Sequence, residues 1–156
     1  MHAVKALIRC RIMVRKFFST HDEDGSPQTF LPKFYFFYGS LMDPGQLARV
    51  LGFRKRPVAH PASIVGYSYK MWGPYPALTD GPLDAIVQGV AYEVKSQRMA
   101  TRLAEYESDA YVEHDCIIRF ENGDTLSGVT FKWRDGADDP DLREGSFNLE
   151  EWLSER

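Results

Sequence analysis

The sequence predicts an α+β fold in which several short strands form a curled sheet or a small barrel beside flanking helices. The main observation is the order of the predicted elements, which runs strand, helix, two strands, helix, two strands, helix. The strands are short, and in two places one strand follows another directly, whereas a doubly wound fold alternates strands with helices. The pattern within residues 33–156 therefore favours a curled sheet or a small barrel.

Composition indicates one folded domain and excludes several classes of partner. The chain has 156 residues, of which 44% are hydrophobic and 13% aromatic, as is typical of a globular domain. Its formal net charge of −3 offers no attraction to nucleic acid. No apolar run approaches the ~18 residues of a membrane span. We therefore expect a soluble, cytoplasmic protein with neither a nucleic-acid nor a membrane partner, and the oligomeric state stays open.

The cysteines and histidines predict no metal site and no disulfide framework. Cys10 and Cys116 are the only cysteines, and neither has metal-ligand spacing. Cys116 lies in an apolar run, which is typical of a buried, unreactive thiol. The histidines are scattered along the chain, at His2, His21, His60 and His114.

Residues 1–32 differ from the rest and are predicted to form an N-terminal extension and linker, with the domain spanning residues 33–156. Basic residues lie among apolar ones, with no acidic residue before Asp22: Lys5, Arg9, Arg11, Arg15 and Lys16. Such an Arg-rich start is compatible with organellar targeting by residues 1–20. The alternatives are a surface extension or a helix lying on the domain.

The first strand and helix meet at a glycine turn. Phe34 to Tyr38 is short and aromatic, and it stops at Gly39. Asp43 is a helix N-cap candidate, with a proline at the next position, and Gly52 ends the helix. Backbone N–H groups of such a turn can converge on an anion.

The middle of the chain predicts two strands separated by an irregular segment. Ala62 to Met71 is rich in β-branched and aromatic residues around Gly66. Residues 73–82 contain three prolines, which deny donors to a ladder and predict irregular structure. Ile86 to Val94 is the next strand, and Gly89 within it indicates a bulge or a close backbone approach.

The last third predicts a helix, a hairpin and a short final helix. Ser96 caps a helix that runs to about Tyr106. Asn122-Gly123 joins two alternating runs, Tyr111 to Phe120 and Thr125 to Trp133, as a hairpin turn does. Asn148 resembles the start of a capping box for the final helix.

Four motifs follow one another along the chain, each at a predicted element boundary. They are Tyr38-Gly39-Ser40-Leu41, Tyr75-Pro76-Ala77-Leu78, Val87-Gln88-Gly89-Val90-Ala91-Tyr92-Glu93-Val94, and Leu103-Ala104-Glu105-Tyr106-Glu107 followed by Tyr111. In this order they resemble the γ-glutamylcyclotransferase-like superfamily, and within it the AIG2-like branch. The resemblance covers residues 34–133.

The resemblance implies a small mixed β-barrel with flanking helices and a pocket at one barrel end. It also implies cyclisation of a γ-glutamyl group to 5-oxoproline with release of an amine, without metal or cofactor. The small-molecule partner would be a γ-glutamyl compound. Carried over, Glu107 is the acid/base, and Tyr38, Gly39, Ser40, Leu41 and Tyr111 bind substrate. Trp72, Tyr75 and Pro76 either form the pocket wall or pack on the barrel.

The implied reaction suits these residue types. The substrate's α-amine must lose a proton and attack its own γ-carbonyl, so the protein has to orient a tethered nucleophile and move one proton. One carboxyl in an apolar pocket can take the proton and return it to the leaving nitrogen. Backbone N–H groups from Gly39 to Leu41 can hold the α-carboxylate or the developing oxyanion.

The sequence leaves alternatives open for the acid/base residue and for the function. Asp109 and Asp115 are alternatives to Glu107, while Glu105 is expected at the surface and His114 as a half-exposed strand residue. Ser108 stands where the family commonly has glycine, and the loop reads Ser-Leu-Met where the best-characterised relatives have Ser-Asn-Leu. The alternative functions are a related enzyme acting on another small amide, or a non-catalytic barrel that binds a small carboxylate or a protein partner.

Overall fold

A computed structural model describes residues 30–155 and contains a closed, mixed β-barrel of five strands. Its strands are β1 Lys33–Phe37, β2 His60–Val65, β5 Ile86–Val94, β6 Tyr111–Phe120 and β7 Thr125–Trp133. Around the barrel they follow the order β1, β5, β2, β6 and β7, and β7 closes the ring by pairing with β1. The β1–β7 pair is parallel and the other four pairs are antiparallel.

A hairpin extends the sheet beyond the barrel. It consists of β3 Tyr67–Trp72 and β4 Tyr75–Asp80, which pair along their whole length. β4 meets the barrel through one parallel pairing, between Leu78 and Lys132 of β7. The outer edge of β3 is partly covered, because Met71 exchanges two backbone hydrogen bonds with Arg143.

Three helices flank the barrel, and their ends follow the predicted capping signals. They are α1 Pro44–Leu51, α2 Gln97–Glu107 and α3 Leu149–Ser154. The side chains of Asp43, Ser96 and Asn148 each accept a bond from a backbone N–H in the first turn. Gly52 ends α1 with φ 76°, the left-handed conformation that glycine adopts without strain. A 3-10 turn, Ser40–Met42, lies between β1 and α1.

The buried side chains form two clusters on opposite faces of β1, because successive strand residues point to opposite sides. Phe36, Ile64 and Ile118 belong to the cluster enclosed by the barrel. Tyr35 and Phe37 belong to the second cluster, which lies between the barrel and the helices. Burial of each such side chain stabilises the fold by roughly 1.5–3 kcal/mol.

The α+β barrel expectation is confirmed, and so are several local predictions. Ile86–Val94, Tyr111–Phe120 and Thr125–Trp133 have the predicted bounds. Gly89 marks a close backbone approach, since a Cβ there would collide with the carbonyl oxygen of Phe37. Gly123 has φ 91° in the predicted hairpin turn, and Cys116 is buried.

The structure corrects the prediction that residues 73–82 are irregular. Tyr75–Asp80 is a strand, and Gly73, with φ 59°, begins the two-residue turn that joins it to β3. Pairing around such a turn points the N–H groups of alternate residues away from the partner strand. The N–H of Leu78 points away from β3, to the Tyr38 hydroxyl at 3.0 Å. Pro76 lies two positions before Leu78, so its nitrogen also points away from β3. Its missing N–H therefore removes no hydrogen bond from the hairpin.

A second correction concerns residues 62–71, which were predicted as one strand. Gly66 has φ 90° and divides this stretch into β2 and β3. Its N–H and carbonyl bond to Ala85 and Gly81 rather than to either strand. The chain therefore leaves the barrel at Gly66 and enters the added hairpin.

The predictions for residues 1–29 lie outside the described residues. Within residues 30–155 no helix is long and apolar enough to cross a membrane. The same part of the chain contains no group of three or more His, Cys, Asp or Glu side chains placed to hold a metal ion.

Candidate active site

The glycine turn after β1 forms one wall of a cavity at the end of the barrel. The 3-10 turn is closed by bonds from Met42 N–H to Gly39 O at 3.0 Å and from Asp43 N–H to Ser40 O at 3.2 Å. Gly39 faces Pro76 of β4, and a Cβ on Gly39 would lie 3.0 Å from the Pro76 Cγ. The turn therefore approaches β4 as closely as it does because residue 39 is glycine.

Glu107 is the last residue of α2 and lines the same cavity as the turn. The carboxyl ends of helices carry a partial negative charge, so an acidic side chain there gains nothing from the helix itself. The structure brings together every predicted site residue except Trp72: Tyr38, Gly39, Ser40, Leu41, Tyr75, Pro76, Glu107 and Tyr111. Phe36, Phe37 and Phe131 complete the lining.

The cavity is narrow in this structure. Its volume is about 20 Å³, which is room for about one ordered water molecule. Its walls are mainly aromatic, and a ligand of several heavy atoms has to displace some of these side chains as it enters.

Two buried tyrosines hold fixed hydrogen bonds beside Glu107. The Tyr38 hydroxyl donates to Phe131 O at 2.6 Å and accepts from the Leu78 N–H at 3.0 Å. The Tyr111 hydroxyl donates to Pro76 O at 2.9 Å. These bonds tie the site to β7 and β4.

Both tyrosines remain neutral throughout the physiological range. Burial, followed by the charge of Glu107, raises the pKa of Tyr38 well above its usual value, while the bond from Leu78 lowers it. Burial also raises the pKa of Tyr111, with further contributions from Tyr38 and then Glu107. Glu107 lines the same cavity as both tyrosines.

The Ser40 side chain bonds within the protein. Its hydroxyl lies 2.6 Å from the Tyr106 hydroxyl, which also accepts a bond from Gln46 Nε2 at 3.2 Å. All three side chains are buried. The network joins the glycine turn, α1 and the end of α2. Because the Ser40 hydroxyl is already bonded, the backbone of the turn is the part that can contact a ligand. Sequence reasoning missed Gln46, for which only its place in the first turn of a capped helix gave a signal.

Trp72 lies behind the cavity wall instead of lining it. Its ring packs against Tyr75, Tyr111 and Trp133, with centroid distances of 6.3, 6.2 and 5.1 Å. Edge-to-face and tilted aromatic contacts of this kind favour fixed ring positions. Trp72 therefore supports two residues of the wall.

The alternative acidic residues and His114 lie away from the cavity lining. Glu105 is half-buried on α2, and Asp115 is exposed on β6. Asp109 is half-buried, and its carbonyl accepts a bond from Arg134 Nε at 2.7 Å. His114 is half-buried, with its ring edge-to-face on Tyr67. Glu107 is thus the only carboxylate in the lining formed by the described residues.

Comparison with known proteins agrees with this architecture. The model of the AIG2-like gamma-glutamyl cyclotransferase family matches residues 35–154. A search of curated proteins found no match. Structurally similar chains were found among solved structures.

Two of these structures come from Arabidopsis thaliana and were determined in solution. One covers 81% of this chain and 84% of its own, with a TM-score of 0.64 and 25% identity. The other covers 83% and 77%, with a TM-score of 0.63 and 22% identity. A structure described as gamma-glutamyl cyclotransferase covers 67% and 68%, with a TM-score of 0.53 and 16% identity. At such identities the likeness to the last two structures concerns the fold.

Proposed function

The chain belongs to the AIG2-like gamma-glutamyl cyclotransferase family, and from this premise we propose that it is itself a γ-glutamylcyclotransferase. Its substrate is a γ-glutamyl amine or a γ-glutamyl amino acid. The reaction closes the γ-glutamyl group on itself, forming 5-oxoproline and releasing the amine.

The observation that supports this proposal most directly is the shared cavity of Glu107 and the glycine turn. A module that only binds a carboxylate needs donors such as backbone N–H groups and gains nothing from a second carboxylate beside them. An enzyme that moves a proton needs a titratable group at that place. The sequence around Glu107 and the position of its side chain thus support the same role.

In the proposed mechanism Glu107 acts first as a base and then as an acid. It removes a proton from the substrate's α-amine, whose nitrogen forms a bond to the γ-carbonyl carbon. The tetrahedral intermediate then expels the leaving nitrogen, which takes the proton from Glu107. Because the nucleophile belongs to the same substrate and closes a five-membered ring, the protein mainly supplies orientation and proton transfer.

The glycine turn has the positioning role in this proposal. Residues 39–41 line the cavity, and the Ser40 hydroxyl is engaged with Tyr106. Backbone N–H groups of the turn hold either the substrate's α-carboxylate or the oxyanion that develops on the γ-carbonyl. Tyr38 and Tyr111 form a neutral wall beside the reacting atoms.

The test is incubation of the full-length protein with a panel of γ-glutamyl amines and amino acids while 5-oxoproline is followed. We expect the wild type to form 5-oxoproline from at least one of them. Glu107→Gln keeps the size of the side chain but removes proton transfer, so kcat should fall by ~10²–10⁴.

Glu105→Gln is the matched control, because it makes the same chemical change on α2 outside the cavity lining. It should keep wild-type kcat. A wild type that forms 5-oxoproline from no compound of the panel refutes the proposed function and favours a binding role. A fully active Glu107→Gln variant refutes the proposed mechanism.

A further inference from the structure

Ser108 directly follows Glu107 and combines two unfavourable features. Its backbone has φ 76° and ψ −178°, and it is the one non-glycine residue with positive φ in residues 30–155. Its side chain is 2% exposed. Within the same range, its hydroxyl is the one buried side-chain polar atom without a hydrogen-bond partner.

Both features are costs that a glycine at this position would avoid. The conformation is natural for glycine and strained for a residue with a Cβ. A buried hydroxyl without a partner loses its bonds to water and gains none in the protein. Backbone strain and unsatisfied polar groups are found preferentially at functional sites. Their combination at Ser108, next to a candidate catalytic residue, therefore indicates a functional role for this serine.

The backbone around Ser108 is held on both sides and does not require a serine. Its N–H donates to Ala104 O at 2.9 Å, and its carbonyl accepts from the Tyr111 N–H at 3.4 Å. Both bonds are backbone bonds and would survive in a glycine variant. The distinctive contribution of Ser108 is therefore its hydroxyl group.

Two hydroxyls of the cavity lining already donate elsewhere. Tyr38 donates to Phe131 O and Tyr111 donates to Pro76 O. A phenol has one proton to donate, so neither can also donate to Glu107 while these bonds persist. The Ser108 hydroxyl has no bonded partner, so its proton is uncommitted.

From these observations we propose that Ser108 is a positioning residue whose hydroxyl donates a hydrogen bond to the Glu107 carboxylate. This inference rests on the proposed function for its catalytic consequence. The bond orients the carboxylate and stabilises its charged form, which is the form that accepts the proton of the α-amine. It forms when the Ser108 and Glu107 side chains rotate toward each other.

Two variants separate the hydroxyl from the backbone strain. Ser108→Ala removes the hydroxyl and keeps a Cβ at φ 76°, whereas Ser108→Gly removes both. We expect each to lower kcat by ~10–100-fold, the effect of losing a hydrogen bond to a charged group. KM should change little, because the substrate itself touches other residues. The Tm should rise from wild type to Ser108→Ala to Ser108→Gly.

The pH profile distinguishes a positioning role from a merely structural one. A carboxylate that loses a donor takes up its proton at higher pH. The acidic limb of kcat/KM should therefore shift upward by ~1 pH unit in both variants. Ser127→Ala, on the exposed face of β7, makes the same chemical change elsewhere and should leave the profile unchanged. If both Ser108 variants keep the wild-type profile and kcat, the proposal is wrong.

A readout without turnover keeps this inference separate from the proposed function. Titration of the Glu107 side-chain carboxyl by ¹³C NMR, assigned with Glu107→Gln, compares wild type with Ser108→Ala. A higher midpoint in Ser108→Ala supports the hydrogen bond, and equal midpoints overturn it. If the wild type forms 5-oxoproline from none of the γ-glutamyl compounds, the proposed function is refuted. The NMR titration would still test the hydrogen bond between Ser108 and Glu107.

Discussion

At the scale of single residues, Gly39 sets the distance between the two walls of the candidate site. A Cβ on residue 39 would lie 3.0 Å from Cγ and 3.3 Å from Cδ of Pro76. Such contacts are closer than the ~3.5–4.0 Å at which carbon atoms attract. Either the glycine turn or Pro76 therefore has to move by a few tenths of an ångström in Gly39→Ala.

We expect Gly39→Ala to lower kcat/KM by ~10-fold or more, because small misplacements of positioning groups are costly in catalysis. The thermal midpoint should fall by only a few degrees, since one contact at a cavity edge is affected. Steady-state kinetics and thermal unfolding check the two effects. The double variant Gly39→Ala/Pro76→Ala removes the clash and should recover part of the activity. Wild-type kinetics in Gly39→Ala would contradict this account of the site.

Individual site residues were predictable where local signals identify them. Gly39 follows an aromatic strand and Glu107 ends a capped helix, so a single stretch of sequence places each. The bond between Ser40 and Tyr106 could not be predicted in this way, because its partners are 66 positions apart. The strain at Ser108 had only an indirect signal, because Ser108 stands where the family commonly has glycine, and its backbone angles are set at the junction of α2 with β6.

At the scale of elements, the Tyr106 hydroxyl couples the glycine turn to the end of α2. It bonds Ser40 Oγ at 2.6 Å and Gln46 Nε2 at 3.2 Å in a buried setting. Tyr106→Phe removes the hydroxyl and keeps the ring, leaving two buried polar groups without this partner. Each such loss costs about 1–3 kcal/mol of folding free energy.

We expect Tyr106→Phe to lower both the free energy of unfolding and kcat/KM, because the turn and Glu107 lose their common support. Ser40→Ala removes the other end of one bond, so its effect should not add to that of Tyr106→Phe. A double-mutant cycle in urea unfolding and in kcat/KM measures this coupling. Strict additivity in both would show that the bond does not link the two elements.

The elements themselves were predictable to different degrees. Strands with alternating patterns and helices with caps were located correctly, because their signals act over a few neighbouring residues. β4 was missed because the three prolines of residues 73–82 argue against a ladder. Pro76 is tolerated there because its nitrogen faces away from β3, as does the N–H of Leu78. That direction depends on the register of the hairpin, which the proline content does not reveal.

At the scale of the whole molecule, barrel closure brings the distant parts of the site together. Tyr38 directly follows β1, and Glu107 ends α2, which follows β5 along the chain. The β1–β7 pairing places Phe131 beside Tyr38, whose hydroxyl then bonds its carbonyl. The helices pack on the outside of the same strand through the cluster that contains Tyr35 and Phe37. Stability of the barrel and geometry of the site are thus linked through β1.

The fold also keeps a buried thiol and two buried phenols neutral at alkaline pH. Burial, and then the charge of Asp115, raises the pKa of the Cys116 thiol from 9.0 to about 12. The pKa values of Tyr38 and Tyr111 are raised well above 10.0, first by burial. Above pH ~9 the unfolded chain loses these protons while the folded chain keeps them, so stability falls as pH rises.

We expect the free energy of unfolding to be steady up to about pH 9 and to fall beyond it, by up to ~1.4 kcal/mol per pH unit for each such group. Urea unfolding between pH 7 and pH 11 measures the slope. Absorbance of tyrosinate should show Tyr38 and Tyr111 ionising only as the protein unfolds, and Tyr111→Phe should make the decline shallower. Constant stability to pH 11 would mean that the buried phenols ionise in place, and that the wall around Glu107 is open to water.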